Sequence, residues 1–428
     1  MDISRRSFMG AGAALFAATE LKGATIQGFD ETEKAALSAA PYVPFSEKKV
    51  RVGIAGEGVC SFGSAFGYQN HPNAVVVACT DLDPEKCKTL QERTKAQKTY
   101  PSCEEMIKHA AEDKLDAVYI ATDAPSHVSL AIMALEHGLH VASAVPALFG
   151  ADQLEYVPKL MDAVKRSGKL YMMNETTAFR PQTYAMRKIY EAGYLGGLVY
   201  TEGEYYHYCD QTDSASIVPS YKGWRDGLPP QYYPTHSNGY YTCVTHKRFT
   251  EVTCSARRSI YPGILRKNRY DNPFGAEFAL FKAEDGSCAR MGVAWDMPTL
   301  RGAEEGRVWG DKGCFDYDND ALWWERRQEG GEALPKLVSD HYSGVYRKEV
   351  RAMEEQLYKP QLPPGMPAGG HGGSHGYLTD DFLRGILLKD HKVCVDVITA
   401  LNTTVAGIYA HLSAMKGGET LKIPSFTL

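Results

Sequence analysis

The feature that most constrains the fold of this chain is a repeated pattern of short apolar runs, separated by segments with helical periodicity. The runs are KVRVGIAGEG, NAVVVACTDLD, LDAVYIAT and LHVASAV, and VSLAIMALEHG is one of the helical segments between them. Buried strands that alternate with helices form a parallel sheet covered on both faces. A further unit, LEYVPKLMDAVKRSG followed by KLYMMNE, extends the pattern to about residue 175. The pattern therefore predicts a doubly wound domain over residues 48–175.

The apolar pattern changes after residue 175. LVYTEGEYYHY, AEFALFKAEDG and SCARMGVAWDM are longer, aromatic and partly alternating, as in antiparallel sheets with one solvated face. YLTDDFLRGILL is predicted to be a helix with Thr379 as its N-cap. A chain of 428 residues is also too long for one ordinary core. We therefore expect a second α/β domain over residues 176–428, with a mainly antiparallel open sheet.

The N-terminus has the form of a bacterial twin-arginine export signal. Arg5 and Arg6 precede a short run of small apolar residues in MDISRRSFMGAGAALFAAT. We assign residues 1–24 to this signal and 25–47 to a linker, and we expect a periplasmic or secreted protein. A disordered basic tail is the alternative.

The composition argues against several classes of protein. The net charge of -5 gives no basic field for nucleic acid. No apolar run reaches the roughly 18 residues that a membrane-spanning helix needs, so none is expected. The 10 cysteines have no CxxC spacing, which argues against a zinc site and against a disulfide framework.

A glycine-rich turn, GIAGEGVCSFG, follows the first predicted strand. Gly53, Gly56 and Gly58 allow a tight turn and the close approach of a pyrophosphate to the N-terminus of the next helix. Ser61 stands at the third glycine position, so the motif is weak by itself. Asp81 ends the second predicted strand, where a carboxylate can accept hydrogen bonds from ribose hydroxyls and would repel a 2′-phosphate. NAD is therefore expected rather than NADP, with a nucleotide-free domain as the alternative.

Four segments carry a resemblance to a known family: CTDLDPEKC, LDAVYIATDAPSHVSLAIMALEHGLHV, MRKIYEAGYLGGLVYTEGEY and AHLSAMKGGETLKIPSF. From residue 49 to the C-terminus the chain resembles the glucose–fructose oxidoreductase / inositol dehydrogenase / rhizopine-catabolism family. The resemblance implies a Rossmann domain that binds NAD, a C-terminal domain whose open sheet carries a sugar substrate, and homo-oligomers formed through that sheet. The cofactor contacts assigned on this basis are Gly56, Gly58, Ser61, Phe62, Asp81, Thr122, Ser126, His127, Ala144, Val145 and Asn174.

One departure concerns the Glu-Lys-Pro triplet that dehydrogenases of this family carry after the fourth strand. Here residues 144–146 read Ala-Val-Pro, so no lysine is present to hold and polarise the reacting hydroxyl. Valine at this position, together with the YPTH stretch at 233–236, is similar to glycoside hydrolase family 109, the NAD-dependent glycosidases. That similarity implies His236 and Tyr233 as the acid/base pair. The substrate contacts assigned with them are Tyr205, Arg225 and Thr235.

The GGHGGSH stretch brings His371 and His375 together on a glycine-rich loop. Because glycines let backbone and imidazole approach a bound sugar, both histidines are expected to line the substrate site. A metal site is the alternative, but it needs a third ligand and none is evident, so no metal is expected.

Three functions remain open from the sequence. The first is an exported NAD-dependent glycosidase that oxidises the sugar transiently, eliminates the C1 substituent, adds water and reduces the sugar again. The second is a sugar or polyol oxidoreductase with a net redox product. The third is a non-catalytic sugar-binding relative, against which Asp81, His127 and His236 count. No persuasive pair of carboxylates of the usual glycosidase kind is evident in the sequence.

Overall fold

The computed structural model of the protein describes residues 41–58, 60–208, 223–260, 262–297, 304–316, 323–325, 336–338 and 359–428. The assigned export signal and residues 25–40 of the assigned linker lie outside the described residues. The rest of that linker packs on the protein, because Phe45 lies against the apolar core and under the Arg384 guanidinium.

The N-terminal part of the structure is a parallel sheet of six strands in the order β3-β2-β1-β4-β5-β6. The prediction of a doubly wound parallel sheet is confirmed, and its central strands are buried over nearly their whole length. The strands are β1 Val50–Ala55, β2 Ala74–Thr80, β3 Lys98–Thr99, β4 Ala117–Ile120, β5 His140–Ser143 and β6 Tyr171–Met173.

Helices connect these strands and begin and end where local chemistry favours it. Asp83 caps α2 by accepting hydrogen bonds from the backbone amides of Glu85 and Lys86, with Pro84 at the first helical position. Gly168, in the left-handed conformation, ends α6. The helices are α1 Phe62–Ala65, α2 Pro84–Thr94, α3 Cys103–Lys108, α4 Ala110–Asp113, α5 His127–Glu136 and α6 Tyr156–Ser167.

The second part of the structure is built on a sheet of seven strands in the order β12-β11-β7-β10-β9-β8-β15. Its neighbours are antiparallel except for β7 and β10, which run parallel, so the expected mainly antiparallel sheet is confirmed. The strands are β7 Leu198–Tyr206, β8 Phe249–Arg258, β9 Phe274–Ala283, β10 Cys288–Ala294, β11 Glu304–Gly310, β12 Cys314–Asp316 and β15 Leu421–Lys422, and a separate hairpin pairs β13 Trp323–Glu325 with β14 Lys336–Val338.

Two helices, α8 and α12, cover the inner face of this second sheet. Two glycines allow the close packing of these elements. A β-carbon at Gly203 in the sheet would lie 2.1 Å from the Ser237 carbonyl oxygen of α8, and one at Gly407 in α12 would lie 2.3 Å from Pro234. No helix among the described residues is both long enough and apolar enough to cross a membrane. The helices of this part are α7 Pro181–Glu191, α8 Thr235–Thr245, α9 Pro262–Leu265, α10 Gly370–Gly373, α11 His375–Leu387 and α12 Val397–Met415.

The prediction that Thr379 is a helix N-cap is wrong. Helix α11 begins at His375, with Ser374 at the N-cap position, so Thr379 lies in its second turn. The Thr379 hydroxyl donates a hydrogen bond to the Phe66 carbonyl oxygen instead of accepting one from a helix amide. This contact ties α11 to the end of α1 in the N-terminal part, and one large apolar cluster contains residues of both parts.

Candidate active site

The glycine turn after β1 is open enough for a nucleotide to approach its backbone. Gly56 has φ 92°, and a β-carbon there would lie 2.5 Å from the Ala121 carbonyl oxygen. At Gly63 a β-carbon would lie 2.3 Å from the Gly56 carbonyl oxygen, so helix α1 meets the turn at this residue. The close packing expected of a third glycine at position 61 is therefore supplied by Gly63, while Ser61 takes φ 53° at the start of α1.

Asp81 follows β2 and faces this turn. Its carboxylate accepts hydrogen bonds from the backbone amides of Glu57 at 2.9 Å, Gly58 at 3.4 Å and Asp83 at 2.9 Å. These bonds fix the carboxylate on the wall of a cavity of about 360 Å³ that Gly56 and Ser126 also line. The open turn and the anchored acid fit the phosphates and ribose of NAD.

A second cavity of about 230 Å³ adjoins the first and shares Gly58, Thr122 and Asp123 with it. Residues from both parts of the protein line it. From the N-terminal part these include Cys60, Phe62, His127, Ala144 and Val145, and from the second part Trp224, Arg225 and Tyr233. The structure thus brings most of the residues assigned to the cofactor next to residues assigned to the substrate.

Three of the assigned cofactor residues, Thr122, Ser126 and His127, form contacts that hold neighbouring loops together. The Thr122 and Ser126 hydroxyls are 2.8 Å apart. The His127 ring lies between the carbonyl oxygens of Pro146, 2.9 Å from Nδ1, and Thr122, 3.0 Å from Nε2. Burial lowers the pKa of His127, whereas the two carbonyl contacts raise it, because donation to both loops requires the protonated ring. Asn174 is buried after β6, where the hydroxyls of Tyr68 and Tyr119 face its amide.

His236 lies in the first turn of α8, which begins at Thr235. Its Nδ1 is 2.8 Å from a carboxylate oxygen of Glu175, and no described residue is hydrogen-bonded to its Nε2. Both side chains are buried, with 2% and 0% exposed. Burial would lower the pKa of His236, but the carboxylates of Glu175 and Glu304 raise it above its ordinary value. The imidazole is therefore held through Nδ1 and made more basic.

Glu304, at the start of β11, completes a buried cluster of charges around His236. One of its oxygens lies 3.9 Å from His236 Nδ1, and the other accepts a hydrogen bond of 2.7 Å from Arg180. The Thr177 hydroxyl also donates to Glu304. Glu175, His236 and Glu304 offer ligand atoms within 4.8 Å of one another. Glu175 Oε1 and both oxygens of Glu304 accept hydrogen bonds, whereas Glu175 Oε2 has no partner among the described residues. We therefore describe the cluster as a hydrogen-bonded charge network.

Sequence reasoning missed both carboxylates. Glu175 stands in the NETTAF stretch after the last strand of the parallel sheet, and an acid at the carboxyl end of such a strand is a signal that could have been used. For Glu304 no local signal exists. Neither acid lines either cavity, so they are not a carboxylate pair that flanks a glycosidic bond.

The tyrosines assigned with His236 pack around its ring. The Tyr233 ring centroid is 5.6 Å from that of His236, and the Tyr205 centroid is 4.6 Å away. Tyr233 lines the cavity, and burial raises its pKa, so its phenol keeps its proton. Tyr205 is 1% exposed and lies behind Tyr233, which differs from the direct substrate contact that we expected. Thr235 is also buried, with its hydroxyl beside Glu175.

Arg225 and Trp224 line the same cavity as Gly58 of the glycine turn. The guanidinium lies 4.1 Å from the centroid of the indole ring. Among the described residues, neither the indole N–H nor the Arg225 Nε–H has a hydrogen-bond partner, although both atoms are buried. Buried donors normally have partners, so these two are available to a polar ligand in the cavity.

His371 and His375 are hydrogen-bonded to each other. The Gly370 amide donates to His375 Nδ1, so His375 carries its proton on Nε2, which is 2.8 Å from His371 Nδ1. His371 in turn carries its proton on Nε2. Burial lowers the pKa of His371 and lowers that of His375 to about 3, so both rings are neutral. His371 stacks 6.2 Å from His236 but is 2% exposed, so it lies behind the cavity wall.

The backbone of this histidine loop is strained and clamped. His371 has φ 52°, which is unusual for a residue with a β-carbon, and Gly372 and Gly373 follow with φ 65° and 71°. The buried Lys359 ammonium donates to the carbonyl oxygens of Phe179 at 2.8 Å and Gly373 at 3.1 Å. Lys359 therefore ties the loop to the segment that carries Glu175, a contact that the sequence did not suggest.

Comparison with known proteins gives the family. Residues 50–175 match the model of an oxidoreductase family with an NAD-binding Rossmann fold. Over 405 residues the chain is 32% identical to a glycosyl hydrolase family 109 protein of Porphyromonas gingivalis, in an alignment that covers 88% of this chain and 84% of that protein. The chain belongs to the glycosyl hydrolase family 109 group of this oxidoreductase family.

One further relative agrees with this assignment, and one solved structure shows the same fold. A glycosyl hydrolase family 109 protein of Bacteroides fragilis is 32% identical over 213 residues, which are 46% of this chain and 44% of that protein. Levoglucosan dehydrogenase, solved with NADH and levoglucosan, has the same fold, with a TM-score of 0.68, 17% identity, and coverage of 88% of this chain and 100% of that chain. The protein is an enzyme of the family, and NAD is its cofactor.

Proposed function

We propose that the protein is a NAD-dependent glycosidase. The observation that carries the proposal is the buried imidazole of His236, held by Glu175 and packed against Tyr233, which lines the same cavity as the glycine turn. A protonated phenol on the wall of the cofactor cavity, with a basic imidazole packed directly behind it, supplies the groups that transient oxidation of a sugar carbinol requires. Val145 in place of the lysine of the dehydrogenases, and the glycosyl hydrolase relatives, also support the proposal.

The cofactor residues of the proposal are those assigned from the sequence. NAD, when bound beside them, supplies reversible hydride transfer with a sugar carbon. Asp81 would hold the ribose hydroxyls, and the turn from Gly56 to Ser61 would carry the phosphates. Phe62, Ala144 and Val145 would shape the nicotinamide end of the cavity, while the loops held by His127 would keep water out.

The proton transfers would belong to His236 and Tyr233. His236 takes the hydroxyl proton through Nε2 as the carbinol becomes a ketone. The ketone acidifies the neighbouring C2–H, so that elimination breaks the C2–H and C1–O bonds, and the C2 proton goes in net terms to the oxygen of the expelled C1 substituent. Tyr233 keeps its proton and donates a hydrogen bond to oxygens on the sugar. Water then adds its hydroxyl at C1 and its proton at C2. Return of the hydride to the ketone carbon, with return of the His236 proton to its oxygen, restores the carbinol, so glycosidic cleavage occurs without net oxidation.

Substrate binding in this proposal uses the free donors of the cavity wall. Arg225 and the Trp224 indole N–H would bind sugar hydroxyls, and the indole ring would pack on the sugar. His371, with His375 fixing its tautomer, would act from behind the cavity wall by stacking on His236. Tyr205 and Thr235 would act from behind, Tyr205 by packing on His236 and Thr235 from its buried position beside Glu175.

The test uses a panel of aryl glycosides in deuterated water with the purified protein. The proposal expects released sugar that carries deuterium at C2, with no NADH accumulating in proportion to product. His236→Ala should abolish turnover while its affinity for NAD, measured by fluorescence titration, stays within a few-fold. A keto-sugar and NADH formed one-for-one, with every glycosidic bond intact, would favour the second candidate, a sugar or polyol oxidoreductase.

We further propose that the chain is exported by the twin-arginine route and assembles as a homo-oligomer. The paired Arg5 and Arg6 support export, and retention of an Arg5→Lys/Arg6→Lys variant in the cytoplasm would test it. The outer face of the second sheet supports assembly, because Leu280 is 54% exposed there and Tyr200 stacks on Trp309. Light scattering of the wild type and of Leu280→Lys would test that interface.

The domain boundaries belong to the same proposal: signal 1–24, linker 25–47, cofactor domain 48–175 and substrate domain 176–428. Strand β6 ends at Met173 and helix α7 begins at Pro181, which supports a boundary near residue 175. Limited proteolysis with mass analysis would test it.

A further inference from the structure

The charge network around His236 contains two acids and one permanent cation. Glu175 and Glu304 have side chains with 0% and 1% exposure, and Arg180 has 6%. With His236 protonated, the two negative and two positive charges cancel. With His236 neutral, the buried network carries one net negative charge. Because uncompensated charge is costly in a buried site, the network favours the state in which the imidazole has taken up a proton.

The hydrogen bonds also determine which nitrogen of His236 takes up the proton. Glu175 accepts from the Thr177 backbone amide at 2.8 Å through the same oxygen that faces His236 Nδ1. Burial would raise the pKa of Glu175, but His236 and the other donors lower it, so the carboxylate is ionised. An ionised carboxylate is only an acceptor, so Nδ1 must carry a proton in both states of the ring. Nε2 is then the nitrogen that changes.

The other groups that face His236 do not compete for this role. Burial lowers the pKa of His207 to about 3 and lowers that of His371, so both stay neutral beside it. Tyr205 and Tyr233 present their rings to the imidazole. Arg180 lowers the pKa of His236 and partly offsets the two acids, which leaves Glu175, the acid in hydrogen-bond contact, as the group that acts most directly.

We propose that Glu175 is the positioning residue of this site: it fixes the His236 proton on Nδ1, so that Nε2 exchanges a proton with the sugar, and it stabilises the imidazolium formed in each cycle. This inference rests on the proposed function, because that function identifies the sugar hydroxyl as the group that gives its proton to His236. It does not depend on whether the net reaction is hydrolysis or oxidation, because both require the same base.

The first test is the pH dependence of kcat/KM for Glu175→Gln and Glu175→Asp. Glutamine still accepts a bond from Nδ1 but removes the charge that raises the His236 pKa. The base works only above that pKa, so the acidic limb of the profile should move to lower pH by about one unit or more. The value of kcat should fall by about 100-fold or more. Glu175→Asp, which keeps the charge, should keep the limb near its wild-type position.

The matched control is Glu277→Gln. Glu277 is a buried glutamate that pairs with His411 Nδ1 at 2.7 Å and lies outside both cavities. The same substitution there should lower the midpoint of thermal unfolding without moving the pH profile. If the two glutamine variants change stability and pH profile alike, Glu175 is a structural residue and the inference is wrong.

The second test does not need turnover. In protein labelled with ¹⁵N-histidine, the His236 signals are identified by their loss in His236→Gln. We expect Nδ1 to stay protonated and Nε2 to titrate above the ordinary histidine range of about 6.5, with a lower midpoint in Glu175→Gln. A ring that titrates at Nδ1, or a stoichiometric metal ion in purified protein that Glu175→Gln loses, would overturn the inference. If Nε2 titrates as expected but no sugar reacts, the proposed function fails, while the inference that Glu175 fixes the Nδ1 proton and stabilises the imidazolium stands.

Discussion

Replacing Arg180 with methionine would test whether the charge network supports the fold as well as the chemistry. The Arg180–Glu304 pair is 2.7 Å long, and its side chains are 6% and 1% exposed. Removing one partner of a buried pair costs about 3–5 kcal/mol, because the other charge stays buried without compensation. The Thr177 hydroxyl still donates to Glu304, so we expect a loss near the lower end, about 3 kcal/mol.

The assay is urea unfolding followed by tryptophan fluorescence, with Arg180→Met/Glu304→Gln as the matched control. In the double variant no charge is left uncompensated, so most of the lost free energy of unfolding should return. A loss below about 1 kcal/mol in the single variant, or a double variant no more stable than the single one, would refute the reasoning. Arg180→Met should also move the acidic limb to higher pH, opposite to Glu175→Gln, because Arg180 lowers the pKa of His236.

Two further variants test the cofactor turn and the histidine loop. In Gly63→Ala the new β-carbon would lie 2.3 Å from the Gly56 carbonyl oxygen, so NAD affinity measured by titration calorimetry should fall by roughly 10-fold or more, whereas Gly197→Ala, whose nearest atom is 3.4 Å away, should bind NAD normally. Lys359→Met removes the donors to Phe179 and Gly373, so it should lower kcat and destabilise the fold by about 1–3 kcal/mol while leaving NAD affinity unchanged; full activity would contradict the clamp.

The parallel sheet could be predicted from sequence because its strands are buried on both faces and read as continuous apolar runs. Strand β4, Ala117–Ile120, is buried at every position. For the second sheet, the sequence predicted a mainly antiparallel class but not the order in which its strands pair. Strands β7 and β10 are central neighbours and run parallel, although 82 positions separate Tyr206 from Cys288, and no local pattern specifies such a pairing. The start of α11 could not be predicted, because the glycine-rich sequence before His375 indicates a loop and not the first turn of a helix.

The residues of the candidate site likewise fall into those that local sequence could predict and those that it could not. The glycine turn and Asp81 are local features, and the YPTH resemblance is enough to single out His236. What could not be predicted are the contacts between distant segments. Glu304 reaches His236 because β11 lies beside β7 in the second sheet, and Lys359 reaches the histidine loop through backbone carbonyls that any residue could supply. The close strand–helix approach occurs at Gly63 and not at position 61, because motif spacing does not specify which residue meets the turn.

The position of charge in the site bears on the absence of the family lysine. A lysine at position 145 would place a permanent cation at the cofactor cavity, where it would stabilise a developing oxyanion. Here Val145 adds no charge at that position, although Arg225 lines the same cavity, and the network that surrounds His236 is short of one positive charge until the imidazole takes a proton. In the proposed function, this arrangement favours the uptake of a proton by His236. It suits a reaction in which the same proton is taken and later returned, because the network is neutral only while the imidazole holds that proton.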